Sequence, residues 1–125
     1  MITLLFSGDF APLEEQRTGP EADFSAIREL LDNCDLHITN LECPITSSDK
    51  SIRKAGPSIK ANPKGAELLG RAGVGLACMA NNHIFDYGEE GFSETIEICR
   101  MNGIKMTGIV SRAVKETESP IYEIK

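Results

Sequence analysis

Asn81, Asn82 and His83 follow an apolar run, and Asp86-Tyr87-Gly88 closes the same ten-residue segment, MANNHIFDYG. Two amides and an imidazole in succession can either brace a turn or hold a ligand and act on it. Asn tolerates left-handed backbone and serves turns readily, and a lone histidine is more often a surface or capping residue. Two other polar groups change the balance. Gly8-Asp9 follows the apolar run at 2–7, and Asn40-Leu41-Glu42 ends the run that starts at Leu36. Singly, Gly8-Asp9 is a common strand-ending turn, and Glu42 ahead of Cys43-Pro44 can simply be solvated. Together they bring carboxylates, amides and an imidazole. Carboxylate and amide oxygens favour Mg²⁺, Mn²⁺ or Fe²⁺, and the imidazole widens the choice to Zn²⁺. Paired ions of this kind polarise a phosphoryl group and generate hydroxide at neutral pH, and a carboxylate such as Glu42 can bridge them. A histidine beside them, not necessarily a ligand, can protonate the leaving oxygen.

These groups need a scaffold that brings them to one place. Residues 2–7, ended by Gly8, suit a strand buried on both faces. Residues 10–22, with Pro12, Gly19 and Pro20, read as a loop. Phe24, Ile27, Leu30, Leu31 and Cys34 recur at helical spacing, which predicts a helix ending near Asn33. A second strand spans 36–41, with His37 facing away from Leu36 and Ile38 as a structural residue. Residues 43–58 form a long polar loop of the kind that is often functional or mobile, and 58–61 a short strand. Pro63 opens a helix that runs to Ala72, with Gly73 as its cap. A strand at 74–80 precedes a helix over 90–101 that carries Phe92, Ile96 and Cys99 on one face. Strands at 104–110 and 120–125 follow. Strands alternating with helices predict an α/β fold, a mostly parallel sheet with flanking helices. Open sheets of this type bind ligands at the carboxyl ends of their strands, which is where the three polar groups fall. Asp86 is expected to hydrogen-bond His83, with Tyr87 bracing the same loop and Asn40 and Asn81 supporting the site.

The chain of 125 residues is one domain's worth, with 41% hydrophobic and 26% charged residues. No segment approaches the roughly 20 apolar residues of a membrane helix. The start MITLLFSGD lacks a basic region, so no signal peptide is expected and a cytoplasmic location follows. Net charge is −6, and residues 1–50 carry ten acidic against three basic side chains. An acidic chain without a basic stripe argues against nucleic acid as a partner. Cys34, Cys43, Cys78 and Cys99 form no CxxC pair, which fits reduced thiols. Cys78 and Cys99 fall in apolar segments and read as small core residues. A thiol enzyme built on Cys43 or Cys78 lacks a paired base.

At SGDF (7–10), TNLECPIT (39–46) and MANNHIFDYG (79–88) the sequence resembles the CapA family of poly-γ-glutamate capsule biosynthesis proteins. That family belongs to the calcineurin-like metallophosphoesterases. The later GFSETI and NGIKMTG segments extend the resemblance over nearly the whole chain. It implies a four-layer α-β-β-α sandwich, of which residues 1–125 would supply the N-terminal half. It also implies Asp9, Glu42 and Asn82 as metal ligands, with Glu42 bridging, and His83 as the catalytic histidine. The substrate would be a phosphoester or a capsule-related polymer.

The superfamily's Asp-x-His opening is Gly-Asp-Phe-Ala here, and its later Gly-His-x-His segment has no counterpart in this sequence. Two metals need about eight to ten donors, of which this chain offers about four. The isolated chain is therefore expected to hydrolyse phosphoesters weakly or not at all. The alternative is a non-catalytic module that self-associates into a homo-oligomer through an exposed sheet edge at 119–125.

Overall fold

The computed structural model describes residues 1–13, 23–108 and 123. Its elements are β1 (Leu4–Phe10), a 3₁₀ turn (Ser25–Ile27), α1 (Arg28–Asp32), β2 (Leu36–Leu41), α2 (Gly65–Arg71), β3 (Val74–Cys78), α3 (Gly88–Met101) and β4 (Lys105–Thr107). The strands form one sheet in the order β1-β2-β3-β4, with every pair parallel. The α/β architecture expected from the alternating pattern is therefore present. The strand expected at 120–125 and the end of that expected at 104–110 lie outside the described residues.

Each crossover advances one strand in the same direction, so right-handed connections put the helices on one face of the sheet. β2 shows this in its burial. His37, Thr39 and Leu41 are buried, while Leu36, Ile38 and Asn40 on the other face are half-buried. The core draws Leu41, Val74 and Ala77 from the sheet, and packs Ala66 and Leu69 of α2 and Phe92, Ile96 and Cys99 of α3 against them. Fully burying side chains such as Leu69 and Phe92 contributes about 1.5–3 kcal/mol each. Across the opposite face of the sheet, Phe6, Ile38 and Leu76 align in one row.

That layout corrects the reading of the first strand. Among the described residues β1 is an edge strand, and Leu4 and Phe6 are 45% and 68% exposed, so it is not buried on both faces. It also runs on through Gly8 and Asp9 to Phe10. The register shifts between Phe6 and Asp9, and Thr39 Oγ1 donates to the Gly8 carbonyl within the shift (2.9 Å). Asp9 therefore lies inside the strand, opposite Asn40, not in a turn after it.

Other boundaries moved for local reasons. The helix expected from Phe24 breaks into a 3₁₀ turn and a short α1 because Ile27, at φ −120°, leaves helical geometry. Residues 58–61 make one bridge, Ile45 to Ala61, instead of a strand. Gly73 caps α2 at φ +66°, where a side chain would be strained. His37 is structural in its contacts: Nδ1 donates to the Ala72 carbonyl (2.8 Å), and Ser7 Oγ lies 2.9 Å from Nε2. Cys99 is fully buried, whereas Cys78, beside Asn40 in the sheet, is half-buried.

Candidate active site at the carboxyl edge of the sheet

Parallel pairing carries Asp9, Asn40, Cys78 and Thr107 into one row at the carboxyl end of the sheet. Asn40 is the hub of that row. Its Nδ2 donates to Asp9 Oδ1 (2.8 Å) and to Glu42 Oε2 (2.5 Å), so a carboxylate of β1 and one just past the end of β2 converge on one amide. Carboxyl groups that share a site call for a donor between them or a cation beside them. The amide supplies the first and leaves the remaining carboxylate lone pairs open to the second.

The segment after β3 combines the turn and the site. Asn81 Oδ1 accepts from the backbone N–H groups of His83 and Ile84 (3.0 Å each), an Asx turn. Its Nδ2 donates to the Leu41 carbonyl (2.8 Å) and to Asn40 Oδ1 (3.2 Å), tying the end of β3 to the end of β2. Asn82 is exposed beside a cleft of about 470 Å³ floored by Met79, Ile84, Phe85 and Phe92.

His83 is held by Asp86. Asp86 Oδ2 lies 2.7 Å from His83 Nδ1 and accepts the Ile59 N–H at 2.9 Å, while Lys54 Nζ donates to Oδ1. Asp86 is completely buried and Lys54 is 19% exposed at the side chain. Burial alone would raise the Asp86 carboxyl, but the bonds from Lys54, His83 and Ile59 outweigh it and hold the group below the usual carboxylate range. An ionised Asp86 accepts only, so it fixes the proton of a neutral His83 on Nδ1. Nε2 has no partner among the described residues.

Lys54 lies in the loop at 43–58, which the structure shows to be anchored. Thr46 Oγ1 and Ser47 Oγ and N–H all donate to Glu94 of α3. Lys60 Nζ donates to the Ser48 carbonyl and to Asp49, and sits 5.1 Å from the centre of the Tyr87 ring. Nothing in the sequence singled out Lys54. It is one lysine in a Ser- and Lys-rich stretch without periodicity. Cys43 is fully buried and burial pushes its thiol up to about 12, so it is no nucleophile.

Among the described residues, no three His, Cys, Asp or Glu side chains cluster tightly enough to hold a metal ion. Asp9 and Glu42 instead put carboxylate oxygens at the sheet edge, with the Asn40 amide between them and Asn82 in the turn after β3. All-oxygen sets suit hard divalent cations, and this one fits part of such a coordination shell. No helix among the described residues is long and apolar enough to cross a membrane.

Residues 3–125 match the family described as bacterial capsule synthesis protein PGA_cap. The chain is also 27% identical, over 110 residues, to the capsule biosynthesis protein CapA of Bacillus anthracis. That alignment covers 86% of this chain and 26% of the relative, so the chain spans about a quarter of that protein's length.

Proposed function

The chain belongs to the bacterial capsule synthesis family PGA_cap, and we propose that it carries one wall of a metal-dependent phosphoester site used in capsule synthesis. The observation behind this reading is the convergence of Asp9 and Glu42 on Asn40, in a row adjoining the Asn81-Asn82-His83 turn. Asp9, Glu42 and Asn82 would hold a divalent cation of the Mn²⁺, Fe²⁺, Mg²⁺ or Zn²⁺ class. Such a cation, when bound, stabilises charge on a phosphoryl oxygen and lowers the pKa of water. Asn40 keeps the two carboxylates in register. The clamp on Nδ1 leaves His83 Nε2 as the ring nitrogen that takes up a second proton, and only that doubly protonated ring would pass a proton from Nε2 to a departing oxygen, returning to the neutral Nδ1–H form.

With few protein donors in the set, the 125-residue chain is expected to turn over phosphoesters weakly or not at all. The test is Mn²⁺-dependent hydrolysis of an aryl phosphate by the purified chain, with His83→Ala as control. Robust turnover lost in His83→Ala would show that these residues suffice. Robust turnover retained in His83→Ala would remove His83 from the chemistry.

A second reading is favoured by the exposed Leu4 and Phe6 on an edge strand. Unpaired, apolar strand edges invite pairing, so a non-catalytic, self-associating module is the alternative. Light scattering across concentrations decides it, because a clean monomer throughout rejects self-association.

A further inference from the structure

We propose that Lys54 is a positioning residue for His83, acting through Asp86. The proposal rests on the reading of His83 as the proton-transfer group, but its decisive measurement does not. Asp86 is gripped at three points by one stretch of loop. The Ile52 N–H donates to the Asp86 carbonyl (2.8 Å), the Ile59 N–H donates to Oδ2 (2.9 Å), and Lys54 Nζ donates to Oδ1. The two backbone bonds fix where Asp86 sits. The Ile59 bond holds Oδ2 from one side only, and among the described residues Lys54 is the donor that holds Oδ1. Lys54 and Ile59 together therefore set the plane of the carboxylate, and without Lys54 the aim of Oδ2 at His83 Nδ1 loosens.

Nδ1 has two close neighbours, Asp86 Oδ2 at 2.7 Å and Lys54 Nζ at 3.2 Å. An ammonium only donates and an ionised carboxylate only accepts. Nδ1 cannot satisfy both with one proton. The Lys54 Nζ bond goes to Asp86 Oδ1, so the shorter contact decides and Nδ1 donates to Oδ2. Lys54 thus touches no reacting atom, and its contribution is the aim of the ring. A lysine that only anchored the loop would need the carboxylate and not the imidazole beside it.

The experiment is nitrogen-15 NMR of the full chain, reading the His83 Nδ1–H resonance and its exchange with water. The wild-type chain should show a slowly exchanging Nδ1–H. In Lys54→Met the signal should vanish or exchange roughly tenfold faster, and Lys54→Arg, which restores a charged donor, should recover it. A lowered melting temperature in Lys54→Met with the His83 signal unchanged would mean that Lys54 only anchors the loop, and would overturn the proposal. If Lys54→Met does not fold, Lys54→Gln carries the comparison, where a weakened signal supports the proposal and an unchanged one overturns it. Where phosphoester turnover is measurable, Lys54→Gln should lower kcat and leave KM within about twofold. Absence of turnover in the wild-type chain would count against the phosphoesterase reading alone, since the NMR comparison still decides the role of Lys54.

Discussion

Replacing Asp86 with Asn removes one charge and changes one atom, yet its cost should be large. All three partners of the carboxylate are donors: Lys54 Nζ, the Ile59 N–H and His83 Nδ1. An ionised carboxylate accepts from all three, whereas an amide has one acceptor oxygen and must point its NH₂ at another donor. The substitution also strips the counter-charge from Lys54. Breaking a buried ion pair from one side costs about 3–5 kcal/mol. Lys54 keeps 19% of its side chain exposed and can recover some hydration, so the lower end, about 3 kcal/mol, is expected. At roughly 3–5 °C per kcal/mol for a domain of this size, the melting temperature should fall by about 10–15 °C. Urea unfolding monitored by circular dichroism reads the loss directly. The double variant Asp86→Asn with Lys54→Met should be less destabilised than the sum of the single variants, by about 1 kcal/mol or more. A loss below about 1 kcal/mol in Asp86→Asn, or strict additivity in the double variant, would refute this account of the cluster.

Three further outcomes follow from the same structure. Asp86 and Glu94 both have folded carboxyls held below their ordinary values, because their hydrogen bonds and the nearby lysines outweigh burial. Their stabilisation is therefore complete above the unfolded values near pH 4 and is lost as pH falls through the lower folded values. Unfolding free energy should drop below about pH 5, and less steeply in Glu94→Gln. Gly91→Ala should destabilise despite a gain in helix propensity of about 1 kcal/mol. The added Cβ would meet Tyr87 Cβ at 2.6 Å and Thr46 Cγ2 at 3.3 Å, and overpacking of that kind costs about 1–3 kcal/mol, so a raised melting temperature would contradict the packing described. Cys43 and Cys99 are fully buried and their thiols are pushed up to about 12, while Cys34 and Cys78 are half-buried. A chromogenic disulfide reagent should therefore titrate two thiols quickly in the native chain and all four only after unfolding.

Much of this scaffold could be read from pattern. The strand expected at 36–41 matches β2 residue for residue, while its burial could not be read from pattern, since the face carrying His37 and Thr39 is the buried one. The Asp86–His83 contact was legible because the two residues share one short segment. β1 was misjudged because an apolar run looks the same whether a strand is central or at an edge. Its neighbours, not its own residues, decide its exposure. Lys54 was invisible for a related reason. Its meaning depends on a buried acid 32 positions away, and loop lysines carry no periodic signal. Asn81 shows the opposite limit, since its turn-forming and site-supporting roles are made by the same side chain and neither reading excluded the other.

The most direct test of the central claim is Mn²⁺ binding, followed by electron paramagnetic resonance of free Mn²⁺ titrated with the 125-residue chain. An oxygen-donor site with part of its shell should bind saturably in the weak range, on the order of 0.1–1 mM. Asp9→Asn and Glu42→Gln should each weaken that binding at least tenfold, while Glu94→Gln, whose carboxylate is taken up by Thr46 and Ser47, should leave it unchanged. Binding that ignores Asp9 and Glu42, or no saturable binding at all in the folded chain, would contradict the proposal that this edge of the sheet is a metal site.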